Sequence, residues 1–373
     1  MFRIALKNIL HDRVRMAAAL LGIVFAVVLV MFQFGLLSDF LRNASAIIDH
    51  SGAPIWVTAP SVANFEFSGE LRESLDYQVL ATPGVGRVER LIMTFVRFRK
   101  PNGSYEGAQL VGVDLERGTR IPWAFHAGSL EDLLDPESIT IDLTDREKLA
   151  SPAMGDYVEV NGKRARIAAM TENVRSFIAS PYLFASLENA HRYAERIRAG
   201  EASYLLVTPS PGWSVSQVLA GLRKLQGIDV LTASELGGRS QEYWIFRTGA
   251  GFAIGLSTVL GLVVGTVIVG QTIYSSTMDR LKEFGTLKAI GGSNVHLYAI
   301  ITWQAIIYAV AGYFPGIAAS FGLARLASLA NTGVLITPTL IASMFFLTVG
   351  MCIVASLLSI VRVTRLEPAM VFK

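Results

Sequence analysis

Apolar and polar positions divide this chain into two kinds of segment. Residues 16–37, 249–274, 295–323 and 339–361 are long apolar runs broken by little more than glycine, hydroxyl residues and an occasional amide. A bilayer core about 30 Å thick is crossed by roughly 20 apolar residues in helical form, so each run predicts a membrane span. Between the first two runs the period changes. Short stretches rich in β-branched and aromatic residues predict strands at 55–58, 87–98, 109–113, 138–141, 157–160 and 163–168. Asn161-Gly162 separates the last two, and this dipeptide accepts the positive φ angles of a two-residue hairpin turn. Helical spacing predicts helices at 38–49, 187–198 and 214–225.

The expected fold is a membrane protein with four transmembrane α-helices and a large α+β extracytoplasmic domain inserted between helices 1 and 2. The expected boundaries are an amphipathic N-terminal helix at 1–15, spans at 16–38, 247–275, 295–325 and 338–361, and the domain at 39–246. A charged connecting helix at 276–294, a short external loop at 326–337 and a tail at 362–373 complete the division. Pro315 lacks a backbone donor and predicts a kink or break in the third span.

Charge orients this arrangement. Arg3, Lys7, Arg13 and Arg15 precede the first span, the connecting helix carries Arg280, Lys282 and Lys288, and the tail carries Arg362, Arg365 and Lys373. Short loops rich in Lys and Arg stay in the cytoplasm, so both termini and the connecting helix are expected there. A signal peptide is excluded, because a 22-residue apolar stretch exceeds the roughly 7–15 residues of a signal core.

With 52% hydrophobic and only 17% charged residues, the chain is too apolar for an ordinary globular domain. Residues 43–246 hold 20 Lys/Arg against 25 Asp/Glu, a balance unsuited to nucleic acid, which requires a concentrated cationic face. One cysteine, Cys352, excludes an internal disulfide and a cysteine-based zinc site. His126 and His191 stand apart, without a zinc-protease spacing, and no catalytic residue is assigned. The phosphate-binding pattern G-x-x-x-x-G-K followed by Ser or Thr is missing, so any ATP-driven work needs an ATPase on another chain.

Two glycine pairs in the second span, Gly251 with Gly255 and Gly261 with Gly265, have the four-residue spacing that lets helices approach closely in lipid. They predict a close helix pair, within one chain or across a homodimer; glycine is also simply common in membrane helices.

The charged segment 279–293 reads D-R-L-K-E-F-G-T-L-K-A-I-G-G-S. Gly291-Gly292 can end its helix in the left-handed conformation, and Ser293 or Asn294 can cap the next. On physical grounds alone it is a helix holding topology at the membrane face. The run also resembles the cytoplasmic coupling segment of the FtsX-like permeases, the membrane subunits of MacB-type ABC transporters. The stretch from F-R-T-G-A-G-F at 246–252 to G-Q-T-I-Y at 270–274 is similar to the DevC branch, and the R-L-E-P-A-M ending at 365–370 is similar to the family's tail.

That resemblance implies a non-catalytic inner-membrane subunit whose Arg280, Lys282, Glu283, Phe284, Gly285, Leu287, Lys288 and Gly291 meet an ABC ATPase. It implies no cofactor on this chain, with ATP and Mg on the ATPase. A homodimer, a periplasmic adaptor and, through the adaptor, an outer-membrane tunnel are the further partners implied. Efflux by mechanotransmission is the activity implied; the alternatives are regulation of a cell-wall hydrolase and lipoprotein release.

Overall fold

The computed structural model describes residues 2–176, 180–279, 286, 293–330 and 332–364. The chain divides into two units, residues 1–39 with 250–373 and residues 40–249.

The first unit is a helical bundle. Helices α1 (Phe2–His11), α2 (Arg13–Ser51, through Asp39 in this unit), α7 (Ala250–Asp279), α8 (Asn294–Leu329) and α9 (Pro338–Thr364) build it. The last four are each long and apolar enough to cross a membrane. In α7, Thr258, Gly261, Gly265, Val269, Thr272, Ile273 and Thr277 are buried, whereas Leu256, Val259, Leu260, Val263 and Val267 are exposed. A buried face made mostly of Gly and Thr and an exposed face of large apolar residues suit a helix whose solvent is lipid, where close backbone packing drives association. The threonine hydroxyls of Thr258, Thr266, Thr272 and Thr277 each donate to the carbonyl four residues back, at 2.7–2.8 Å, which satisfies them without a partner helix.

Helix α8 runs through Pro315 to Leu329. Its Tyr313 hydroxyl donates to the Ile341 carbonyl at 2.8 Å, and its ring meets Phe345 edge-on at 5.1 Å, tying α8 to α9. Helix α1 buries Ala5 and Ile9, one turn apart, in the core that holds Leu297, Ile300 and Ile301 of α8. Leu10 of the same helix is exposed.

The second unit is a ten-stranded sheet with helices, and its frame is the 15-residue strand β2 (Val85–Arg99). The first half of β2 pairs with β9 (Tyr204–Pro209), which continues to β1 (Ile55–Thr58) and β10 (Asp229–Thr232). Its second half pairs with β3 (Tyr105–Val113), and its end with β6 (Tyr157–Val160). Strand β8 (Tyr182–Ser186) lies parallel to β3, and β5 (Ser138–Asp142) lies parallel to β7 (Lys163–Thr171), which also pairs with β4 (Phe125–Ala127). Asn161 (φ 49°) and Gly162 (φ 74°) form the β6–β7 turn with both φ positive, the geometry that matches strand twist in a hairpin.

Helices α3 (Ser74–Leu80), α4 (Leu187–Tyr193), α5 (Val215–Leu222) and α6 (Ala233–Glu242) cover the sheet. Ser214 with Gln217 and Thr232 with Glu235 form capping boxes that start α5 and α6. The predicted helix at 187–198 stops at Tyr193, because Ala194 turns extended. The helix predicted at 38–49 is the continuation of α2. Strands β8 and β9, not predicted, read Tyr-Leu-Phe-Ala-Ser and Tyr-Leu-Leu-Val-Thr-Pro; they are buried along most of their length and so show no alternation.

Candidate functional site

The residues expected to couple to an ATPase, Arg280, Lys282, Glu283, Phe284, Gly285, Leu287, Lys288 and Gly291, lie outside the described residues. Their structural frame is described on both sides. Helix α7 ends at Asp279 and α8 begins after Ser293, whose backbone takes the extended N-cap conformation. The Ser293 hydroxyl lies 2.7 Å from His296 Nδ1 and makes no capping bond to the helix backbone. Between them, Thr286 is helical and exposed.

Asp279 is tied to the start of α2. The Arg15 guanidinium donates to its carboxylate, and a second carboxylate, Asp12, accepts from Arg15 Nε at 3.1 Å. The α2 N-terminus and the α7 C-terminus therefore meet at one end of the bundle. Nothing in the spacing of Arg15 and Asp279, 264 positions apart, pairs them in the sequence.

The glycines of α7 differ in surroundings. A Cβ at Gly261 would sit 2.8 Å from Leu29 Cδ2, and one at Gly265 would sit 2.9 Å from both Ala26 Cβ and Met351 Sδ. Gly255 has open space around it, and Gly251 is half-buried. Two glycines of α8 make the same kind of approach: Cβ atoms at Gly312 and Gly316 would come within 2.6 Å of Ile23 and 2.8 Å of Val27. Of the amides, Gln304 is buried with no partner for its Oε1 among the described residues, and Gln271 is exposed.

In the sheet unit, His126 Nδ1 lies 3.6 Å from Glu172, both exposed, and His191 Nε2 lies 2.9 Å from the Glu201 carbonyl oxygen. A pocket of about 440 Å³ opens where β3 and β8 end in parallel, lined by Arg90, Asp114, Arg117, Glu188 and His191 among others. Burial pushes the carboxyl groups of Asp76, Glu89 and Asp114 above the usual range, opposed by Arg90, Arg87 and Arg117 respectively. These are carboxylate–guanidinium pairs rather than a nucleophile beside a base.

A multi-pass helical bundle interrupted by a sheet domain after its first long apolar helix defines a class of membrane permease. The profile described as FtsX-like permease C-terminal matches residues 255–368, and the MacB-like periplasmic core domain matches residues 16–225. The chain belongs to the FtsX-like, MacB-type family of ABC transporter permeases. It is 22% identical over 362 residues to the ABC transporter permease Rv0072 of Mycobacterium tuberculosis, covering 94% of this chain and 93% of that protein. It is 23% identical over 374 residues to Rv2563 of the same organism, covering 99% and 98%. Among solved structures, the periplasmic region of MacB from Actinobacillus actinomycetemcomitans aligns with a TM-score of 0.39 at 12% identity, over 52% of this chain and 94% of that one. The extracellular domain of the Gram-positive transporter YknZ aligns with a TM-score of 0.37 at 12% identity, over 48% and 100%.

Proposed function

We propose that this chain is the inner-membrane subunit of an ABC exporter of the MacB type, working in the manner of the DevC branch. Both termini and the α7–α8 connection lie in the cytoplasm, where segment 280–292 docks on a separate ATPase that carries ATP and Mg. Two copies of the chain form the working dimer, and the sheet domain meets a periplasmic adaptor that leads to an outer-membrane tunnel. Closure of the ATPase dimer moves the coupling segment, and α7 passes that motion along the membrane.

The observation that supports this reading best is the unbroken helix Ala250–Asp279, whose cytoplasmic end is bound to the start of α2 through Arg15 and Asp279. A push on the coupling segment then reaches two spans at once. The described interiors of the four spans carry no Lys, Arg, Asp or Glu along their central apolar stretches, which disfavours a polar conduit through one chain.

The test is purification of the tagged chain from its native membranes, with co-purifying proteins identified by mass spectrometry. An ABC ATPase together with an adaptor is the expected result. An ATPase with a cell-wall hydrolase and no adaptor would replace export by regulation, and no ATPase at all would overturn the proposal.

A further inference from the structure

Between α6 and α7 the chain makes a π-helical turn, Tyr243–Arg247, before Gly249 (φ 80°) and the first residue of α7, Ala250. This turn and residues 61–63 enclose a pocket of about 360 Å³. Its far wall is fixed in place. Ser61 N donates to Asp229 Oδ2 at 3.2 Å, and Arg239 Nη1 reaches the same oxygen at 3.3 Å and the Val62 carbonyl at 3.2 Å. Phe65 N donates to Ser240 Oγ at 3.0 Å, holding the segment to α6.

Arg239 and Asp229 thus neutralise one another. Two charges on the pocket lining are left: Glu242 and Arg247, both exposed, form no ion pair among the described residues, with each other or with a third group. Tyr243 and Phe246 complete this side, and Phe246 is 77% exposed. One carboxylate, one guanidinium and two aromatic rings are gathered within a few residues of the start of a membrane span, the depth at which aromatic and basic side chains meet lipid head groups.

We propose that this pocket holds the head group of a zwitterionic phospholipid bearing a primary ammonium, of the phosphoethanolamine type, drawn from the adjoining leaflet. Arg247 takes the phosphate through its planar pair of donors. Glu242 accepts from the ammonium, and Phe246 lies along the upper acyl chain. A choline head group has no N–H to give Glu242, and a glycerol head group has no cation for it. The volume is near the lower end of ligand pockets, about 300–1,000 Å³, and suits a head group rather than a whole lipid. The inference does not depend on export, ATPase or adaptor.

The experiment is native mass spectrometry of the full-length detergent-purified protein, titrated with phosphatidylethanolamine, phosphatidylcholine and phosphatidylglycerol of identical acyl chains. Phosphatidylethanolamine should be retained about tenfold better than either competitor. Glu242→Gln should abolish that preference over phosphatidylglycerol while leaving phosphatidylglycerol binding unchanged. Arg247→Gln should weaken all three lipids. Equal retention of the three by the unaltered protein, or a preference that survives both substitutions, would overturn the site. Displacement of bound lipid by free phosphoethanolamine at equal concentration would overturn the lipid as the source of the head group.

Discussion

Arg15, in the first turn of α2, is ion-paired with Asp279, the last residue of α7. The pair closes one end of the bundle between two helices separated by the whole sheet domain in sequence. Both side chains are partly exposed, at 39% and 59%, and exposed pairs contribute only about 0.2–1 kcal/mol. Its value is positional. In a Cys352→Ala background, Arg15→Cys and Asp279→Cys should both react with a membrane-impermeant maleimide from the same side, and a short bifunctional maleimide should join them within one chain. Labelling from opposite sides would overturn the four-span topology.

The α7 and α8 glycines separate into two behaviours. At Gly265 and Gly312 an added methyl meets neighbouring helices at 2.9 and 2.6 Å, so alanine there forces helices apart, at a cost of about 1–3 kcal/mol. Around Gly255 there is open space, and alanine should be neutral or stabilising by up to about 1 kcal/mol through helix propensity. Thermal unfolding in detergent should rank Gly255→Ala at or above the unaltered protein and the other two below it. Gly255 also tests the dimer: a loss of dimer with unchanged monomer stability would show that a second copy packs at that face.

The membrane helices were legible because their signal is compositional: long runs with almost no charge need no knowledge of partners. The β6–β7 hairpin was legible because Asn161-Gly162 determines it locally. Strands β8 and β9 were not, since strands buried on both faces lose the alternation that marks a strand. Neither was the Arg15–Asp279 pair, nor the pocket joining Ser61 to Arg247, because both depend on chain reversals that no local pattern encodes. The assignment of the coupling residues rests on sequence and resemblance alone.

Glu89 is buried beside Arg87, at 2.8 Å, and its carboxyl is raised above the usual range, burial being the main cause. A carboxyl raised on folding lends stability that is fully present below its unfolded pKa and is lost as pH rises through the folded value. Ionised Glu89 therefore opposes the fold at neutral pH. Glu89→Gln should gain melting temperature relative to the unaltered protein as pH rises from about 4 to 7.5, in the range where carboxyls titrate. A difference independent of pH would show that Arg87 fully offsets the burial.

Glu283 is the one acidic residue in segment 280–292, among Arg280, Lys282 and Lys288. If it meets a basic patch on the ATPase, reversal to lysine replaces attraction by repulsion, and a loss of only about 1.4 kcal/mol lowers association tenfold. Helix propensities of Glu and Lys are nearly equal, so the substitution brings no change in local backbone preference. Glu283→Lys should therefore insert normally and reduce ATPase co-purification about tenfold, or retain the ATPase while hydrolysis no longer drives transport. A compensating acidic substitution on the ATPase should restore the pair, which a general folding defect would not allow. Unaltered co-purification together with unaltered transport would remove Glu283 from the interface and leave the cations of the segment as the groups to test.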